Sequence, residues 1–362
     1  MSISIAYVGC GYMAQRVHLP NICDLSDRCH LAAIAETRPH LREQVCNSFT
    51  VSKRYAHHSE IAEDDSIDAV AISGHFAMQG EIAADMLRAG KHVFVEKPLG
   101  ISAAQCEAII AAEQASRKTL MVGYMKRYDA GNHLLRKTLR DWRASGDYGL
   151  PTFMRNHGFC GTWDAAVDRP FITSEEAPPE IPTALPFPSW LPESHHGSYL
   201  DYIQQYTHNV NLMRWLLDAD DDWEVLHTHL DDHGCGGVAL LRIGGIRASL
   251  ESGSLAYHAW DEHTQIYFEG GWLKTDAPPL LLRNVSATVE YYDGREGHRG
   301  SGSLIPDNSW TWSYREEMRA FLDMIEHGTK PESSASDTLQ DMRMLEAIYR
   351  DHCRRIGVEV TA

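Results

Sequence analysis

The chain has 362 residues, of which 43% are hydrophobic and 23% are charged, a composition typical of a globular protein with about two domains. Acidic residues number 50 and basic residues 33, which gives a formal net charge of -17. Such an acidic surface repels nucleic-acid backbones and anionic membranes, so neither is expected as a partner.

Short apolar runs alternate with helix-length segments through the first 123 residues. Continuous runs of Val, Ile and Ala are typical of parallel strands that helices cover on both faces. The pattern therefore predicts a doubly wound parallel sheet. Its predicted strands are ISIAYVG (3–9), LAAIAE (31–36), IDAVAIS (67–73), HVFVE (92–96) and TLMVG (119–123).

The pattern changes after residue 124. A helix is predicted over 130–145, a strand near PTFMRNHGF, and an irregular loop through the proline-rich stretch 170–192. Several β-like runs then occupy 223–292, and two amphipathic helices end the chain. The sequence thus predicts an α/β protein with a Rossmann domain over 1–124. A C-terminal α/β domain over 125–362 would contain a large, open and mostly antiparallel sheet.

A GxGxxA pattern follows the first predicted strand and opens a helix. Glycines permit a tight turn and the close approach of backbone N–H groups to a pyrophosphate, and the helix N-terminus favours its negative charge. The pattern predicts a dinucleotide site, although a generic strand-to-helix turn would have the same sequence. Its residues are Gly9, Cys10, Gly11, Tyr12, Met13 and Ala14.

Two further strand ends complete the predicted cofactor site. Glu36, with Thr37 beside it, ends the second strand about twenty residues beyond the glycines, where a carboxylate can bind the adenosine ribose hydroxyls. A 2′-phosphate would be repelled there, so NAD is favoured over NADP, although nearby Arg38 could accommodate a phosphate. Another apolar strand ends in residues predicted to meet the nicotinamide ribose, namely Ser73, Gly74 and His75.

The strand VFVE ends on an acid that lysine and proline follow. Parallel strands direct their carboxyl ends toward the bound nucleotide, so Glu96 and Lys97 are expected near the nicotinamide. Pro98 restricts the backbone of Lys97, and a lysine partly removed from water becomes a better acid–base group. The simpler alternative is an ion pair in a surface loop.

The segment SYLDYIQQYTHNVNLMRWLLD predicts a helix with a polar face, since four of its residues fall on one stripe. Amides, a carboxylate and an imidazole suit hydrogen bonding to a polyhydroxylated ligand, although a lone histidine can also be structural. The stripe is predicted to bind substrate. It contains Asp201, Gln204, His208 and Asn211.

Three segments, GCGYMA, AADMLRAGKHVFVEKPLGIS and GYMKRYDAG, resemble the Gfo/Idh/MocA family, the glucose-fructose oxidoreductase and inositol dehydrogenase group. GDYGLPTFMR and HNVNLMRWLL extend the resemblance over nearly the whole chain. The resemblance implies a dinucleotide-binding domain, followed by an α/β domain whose open sheet joins subunits in homodimers or homotetramers.

The resemblance also implies roles for individual residues. Lys97 would transfer the proton during oxidation of a hydroxyl, and His208 matches the family's histidine. The family pattern has an aspartate four residues earlier, where this chain has Gln204. Four other residues are predicted to contact substrate, namely Tyr124, Arg127, His157 and Trp163. For Tyr124 and Arg127, packing at the hinge between the domains is the alternative.

The sequence therefore predicts an NAD-dependent dehydrogenase that acts on a CH–OH group of a sugar, glycoside or cyclitol. Two alternatives are a trans-dihydrodiol or imine oxidoreductase of the same family and an NAD-binding sugar sensor without turnover. No metal is predicted, because His195 and His196 lack a fixed carboxylate partner. Eight cysteines without a CxxC pair and no export signal favour a cytoplasmic protein.

Overall fold

The computed structural model describes residues 2–162 and 171–360, which fall into two compact units. The first unit contains residues 2–124, 171–188 and Tyr314–Leu339, and the second contains the remaining described residues. The N-terminal unit therefore includes two segments that the sequence analysis placed in a second domain over 125–362. Both later segments pack within the N-terminal unit.

The strands of the described residues form two sheets, with orders β3-β2-β1-β4-β5-β6 and β14-β13-β12-β11-β7-β10-β9-β8. Every pairing in the first sheet is parallel. The strands are β1 Ile3–Val8, β2 Cys29–Ala35, β3 Lys53–Tyr55, β4 Ala69–Ile72, β5 His92–Glu96, β6 Leu120–Gly123, β7 Pro151–Cys160, β8 Trp223–Leu230, β9 Gly237–Ile243, β10 Ile246–Ser254, β11 Trp260–Phe268, β12 Gly271–Asp276, β13 Thr288–Asp293 and β14 Gly300–Leu304.

Helices occur between most of the strands of the first sheet and at the end of the chain. They are α1 Leu19–Asp24, α2 Pro39–Ser48, α3 His58–Ala62, α4 Phe76–Arg88, α5 Ala103–Ser116, α6 Ala130–Ser145, α7 His196–Leu216, α8 Ser313–His327 and α9 Ala335–Arg355. The predicted helix over 130–145 coincides with α6. A π-helical turn, Ala14–His18, precedes α1, and short 3-10 helices are formed by Met125–Tyr128 and Glu193–His195.

The first sheet is buried on both faces, as its apolar runs predict. β4 and β6 are buried along their whole lengths. Helix α8 adds Phe321, whose ring centroid lies 5.8 Å from that of Phe94 on β5. The Ser333 hydroxyl donates a 2.6 Å hydrogen bond to the carbonyl of Val122. The α8 region therefore completes the hydrophobic core of the N-terminal unit.

The second sheet is mostly antiparallel, with one parallel pairing between β7 and β10. Its strands alternate in burial, which is typical of a sheet with one packed face. On β9, Ala239 and Leu241 are buried, whereas Val238 and Leu240 are exposed. Helix α7 contacts β7 and α6 contacts β12. The predicted fold class is confirmed.

In the described part of the chain, no helix is both long enough and apolar enough to cross a lipid bilayer.

Candidate functional site

The glycine turn follows β1 in the N-terminal unit. Gly9 has a φ of +94°, and a Cβ at this position would lie 3.0 Å from the carbonyl oxygen of Ser73. Both the backbone conformation and the close approach require glycine. A Cβ added to Gly11 would meet none of the described atoms within 4 Å. This open space at the turn gives a pyrophosphate room to approach the backbone, so the residues present fit a dinucleotide.

Tyr12 and Met13 connect the glycines to the π-helical turn, which begins at the buried Ala14. Both connecting residues are half-buried. The Tyr12 ring lies 5.4 Å, between centroids, from that of Phe171. The side of the glycine turn thus contacts the proline-rich segment that the sequence predicts to be a surface loop.

Glu36 directly follows β2 and is only 5% exposed. Its Oε2 atom accepts a 2.9 Å hydrogen bond from the backbone N–H of Cys10, so the acid reaches the glycine turn. The Arg38 guanidinium donates to both carboxylate oxygens at 2.8 and 3.0 Å, and the Thr37 hydroxyl donates to one at 3.4 Å. Burial raises the pKa of Glu36, but hydrogen bonds from Arg38 and Cys10 more than offset this, and the pKa is lowered. A ribose hydroxyl would therefore compete with Arg38 for this carboxylate.

The residues after β4 lie beside the glycine turn because β4 pairs with β1. Ser73 is buried and accepts a 2.6 Å hydrogen bond from the Tyr7 hydroxyl. The imidazole of His75 caps α4 by accepting from the backbone N–H of Ala77 at 3.3 Å. A Cβ added to Gly74 would meet nothing within 4 Å among the described atoms. Of these three predicted residues, Gly74 has the most room for a ligand.

Hydrogen bonds from Gln79 fix the backbone on both sides of Lys97. The peptide bond to Pro98 is cis. Gln79 on α4 donates through its Nε2 atom to the carbonyl oxygens of Glu96 at 2.5 Å and Pro98 at 2.8 Å. Lys97 itself is half-buried. A fixed backbone next to a partly exposed amine suits a residue that must present its side chain in one direction.

Glu96, which the sequence predicts to lie among the cofactor-binding residues, is buried. Its Oε1 atom lies 2.7 Å from Nε2 of His18, and Glu317 from α8 lies beside this pair. One potential ligand atom from each of the three residues lies within 4.8 Å of the other two. The short contact between His18 and Glu96 is a hydrogen bond, which fixes the position of the Glu96 carboxylate behind the backbone of Lys97.

Glu317, like His18, is completely removed from solvent in this cluster. Its side chain is fully buried, and its two oxygen atoms have no hydrogen-bond partner among the described residues. Burial raises the pKa of Glu317 well above its ordinary value, and the nearby Glu96 carboxylate raises it further. Burial and the neighbouring carboxylate thus both favour the protonated form of Glu317. The sequence contains no signal for this cluster, because Glu317 on α8 is far along the chain from His18 and Glu96.

The polar stripe predicted for the histidine helix lies on α7, in the second unit. Asp201 is exposed, and Gln204 and His208 are half-buried. Ile203 and Tyr206, predicted to form the apolar stripe, are buried. Three of the four predicted polar residues therefore lie on the less buried side of the helix, where a ligand could reach them.

The fourth, Asn211, is only 1% exposed, and its amide donates a 2.6 Å hydrogen bond to Asp341. Asp341 also forms a buried ion pair with Arg214 at 2.5 Å. Arg127, predicted to line the cleft, is buried too and donates to the carbonyl of Asn211 at 3.1 Å. Both predicted substrate contacts are thus engaged inside the unit, because this half of α7 is buried on all sides.

A buried polar network beneath α7 was missed by the sequence reasoning. Lys126 forms an ion pair with Glu262 on β11. Asn209, the residue after His208, donates to Glu262 at 3.2 Å and to Asn156 on β7 at 2.8 Å. Each of these four residues is at most 6% exposed. The network links α7 to the sheet directly beside His208, and the sequence reasoning assigned none of its four members to a site.

His157 on β7 is occupied by acidic neighbours. Its Nδ1 atom lies 2.9 Å from Glu251, and its Nε2 atom lies 3.3 Å from Asp261. Burial raises the pKa of Glu251, but Arg155 and His157 lower it to about 2. Both imidazole nitrogens of His157 therefore face carboxylates, and its contact with substrate stays a prediction.

Two other residues predicted to contact substrate are Tyr124 and Trp163. Tyr124 is buried at 2% exposure at the end of the first segment of the N-terminal unit. Trp163 lies outside the described residues. Lys97 belongs to the N-terminal unit and His208 to the second.

Comparison with known proteins supports this description of the N-terminal unit. Residues 3–124 match the GFO_IDH_MocA family, described as an oxidoreductase family with an NAD-binding Rossmann fold. Inositol 2-dehydrogenase of Burkholderia cenocepacia is 23% identical over 93% of this chain and 90% of its own length. Myo-inositol 2-dehydrogenase of Thermotoga maritima is 24% identical over 92% of this chain and 91% of its own.

Solved structures share the fold over almost the entire chain. An aldose-aldose oxidoreductase from Caulobacter crescentus, complexed with glycerol, has a TM-score of 0.74 at 19% identity and covers 98% of both chains. A 3-ketoreductase from Actinomadura kijaniata, in complex with NADP and TDP-benzene, has a TM-score of 0.72 at 20% identity. The match covers 99% of this chain and 98% of that one.

Proposed function

We propose that the chain, whose residues 3–124 match the GFO_IDH_MocA oxidoreductase family, oxidises a secondary hydroxyl of a sugar, glycoside or cyclitol, or reduces the corresponding ketone. The relatives named inositol dehydrogenases support a CH–OH substrate. Nicotinamide dinucleotide supplies the hydride acceptor or donor when it is bound. The glycine turn and Glu36 would hold its pyrophosphate and adenosine ribose.

The observation that carries this proposal is the arrangement of strand ends in the parallel sheet. β1, β4 and β5 are neighbours in the order β1-β4-β5, so the glycine turn, Gly74 and Lys97 follow the same edge. Ligands of doubly wound sheets bind outside the carboxyl ends of the strands. A half-buried lysine with a fixed backbone at that edge is the natural acid–base group for a dinucleotide reaction.

In the proposed mechanism, the Lys97 amine removes the proton from the substrate hydroxyl during oxidation and returns it during reduction. His208 hydrogen bonds to the same hydroxyl and relays the proton, while Gln204 and Asp201 orient the substrate ring. A hydroxyl must lose its proton as hydride leaves the carbon, so a positioned base lowers the barrier.

The test is a panel of sugars and inositols, assayed with the purified protein and NAD by NADH absorbance. Lys97→Ala should lower kcat by at least about 10²-fold, as expected for removal of a general base, while still binding NAD. Lys118→Ala removes the same charge from the turn before β6 and serves as the matched control. Turnover of Lys97→Ala at the wild-type rate would exclude Lys97 from the mechanism.

A second candidate is a sensor that binds NAD and a sugar without turnover. One observation favours it, namely the amide of Gln204 at the position where the family has a carboxylate, one helical turn before His208. Binding of both ligands by calorimetry with no NADH formed over the panel would support this function. Turnover of imines or trans-dihydrodiols, and not of sugars, would instead favour the remaining enzyme candidate.

The second sheet provides the proposed contact between subunits. Its exposed face includes Leu226, Val238 and Leu240, which are 38%, 39% and 41% exposed. Adjacent apolar side chains on an open sheet face are suited to association with a second copy of the chain. A homodimer or homotetramer is therefore expected, and light scattering measures the mass directly.

A further inference from the structure

The described part of the proline-rich segment, residues 171–188, packs within the N-terminal unit. Gln15, in the π-helical turn, donates to the carbonyl of Ile172 at 3.0 Å and accepts from its N–H at 3.0 Å. The same amide donates to the carbonyl of Cys10 at 2.8 Å. These reciprocal bonds fasten the start of the segment to the glycine turn.

A few residues later, Glu176 fastens the segment at a second place. Its Oε1 atom accepts from the backbone N–H of His40 at 3.0 Å, and its Oε2 atom accepts from that of Leu41 at 3.1 Å. The Ser174 hydroxyl donates to Oε2 at 2.7 Å. Burial raises the pKa of Glu176, but these hydrogen bonds outweigh it and lower the pKa, so the group is an anion at neutral pH. The N-terminus of α2 is thus filled by a carboxylate.

The contact between Glu176 and α2 lies next to the residues proposed to bind the adenosine ribose. The helix begins at Pro39, directly after Arg38 and only three residues after Glu36. Unpaired N–H groups at a helix start, with an arginine beside them, are the donors that proteins use to bind phosphate. Here both are already engaged by acids, because Glu176 accepts from the N–H groups and Glu36 pairs with the guanidinium.

We propose that Glu176 is a specificity determinant that occupies the place of a 2′-phosphate and so reserves the site for NAD. NADP would have to displace the Glu176 carboxylate and then place its own negative charge beside two glutamates. NAD carries a hydroxyl at that position and needs no such displacement. This inference rests on the proposed dinucleotide site at the glycine turn.

The test measures binding of NAD and NADP by isothermal titration calorimetry, without reference to turnover. Wild-type protein should bind NADP at least about tenfold more weakly than NAD. Glu176→Ala should tighten NADP binding about tenfold and leave NAD binding within about threefold. Glu176→Gln, which keeps the shape and loses the charge, should move NADP affinity in the same direction. Glu175→Ala removes an equal charge from an exposed neighbour and is the matched control.

The results separate the possible explanations. Both Glu176 variants could have a lower melting temperature while their ratio of NADP to NAD affinity equals that of Glu175→Ala. This result would mean that Glu176 only caps α2, and it would overturn the inference. Equal affinities for the two dinucleotides in the wild type would overturn it as well. Failure of the folded wild-type protein to bind either dinucleotide would instead refute the proposed function.

Discussion

Replacement of Glu317 by glutamine tests whether a protonated carboxyl lies beside Glu96. The fully buried carboxyl has no hydrogen-bond partner among the described residues, and it faces the carboxylate of Glu96. Because these surroundings raise its pKa in the folded state, the folded protein binds a proton that the unfolded chain releases. The associated stability is complete below the unfolded pKa and is lost as the pH rises toward the folded pKa. Each unit of elevation corresponds to ~1.4 kcal/mol.

Glutamine is neutral at every pH and has nearly the same shape. The free energy of unfolding of Glu317→Gln should therefore match that of the wild type near pH 4 and exceed it by at least ~1.4 kcal/mol at pH 8. Urea denaturation, followed by circular dichroism across this range, gives the comparison. Glu316→Gln is the control, since it loses only a surface ion pair with Arg319 worth ~0–1 kcal/mol. Parallel pH curves for Glu317→Gln and wild type would show that Glu317 is ionised in the folded protein.

Three further substitutions test other parts of the structure. Asp341→Ala should destabilise the protein by ~3–5 kcal/mol in urea denaturation, because it leaves the buried guanidinium of Arg214 without its ion pair; no change would mean that the pair is not formed in solution. Gly9→Ala should abolish NAD binding in calorimetry, because the added Cβ would lie 3.0 Å from a backbone carbonyl at a φ of +94°. Gln204→Asp should raise the pKa that governs the pH profile of kcat/KM, since a carboxylate one turn before His208 favours the imidazolium; an unchanged profile would remove His208 from proton transfer.

The sequence predicted the parallel sheet well because its strands are apolar on both faces and separated by capped helices. Ser102, for example, caps α5 by accepting from the backbone N–H of Gln105. Strand ends are local features, so Glu36 and Lys97 could be located from spacing alone. The pairing of Glu36 with Arg38 was not foreseen, although the two residues are almost adjacent, because side-chain geometry is not encoded in spacing.

Contacts between distant segments were beyond the reach of periodicity. A helical wheel places Asn211 on the same stripe as His208, but it cannot indicate that Asp341 approaches from the other side. The clusters around Glu317 and Glu176 have the same origin, because each joins a late segment of the chain to the first 124 residues. Those contacts follow from tertiary packing, for which a single sequence provides no pattern.

The discontinuous N-terminal unit has a practical consequence for protein engineering. A fragment ending at Tyr124 would lack Phe321, Ser333 and the acid at position 176, and would leave the faces that they cover open to solvent. A chimera that exchanges the nucleotide-binding half between relatives must therefore transplant three pieces of chain together. A chimera with a single crossover at the end of β6 would combine strands β1 to β6 from one parent with helix α8 from the other.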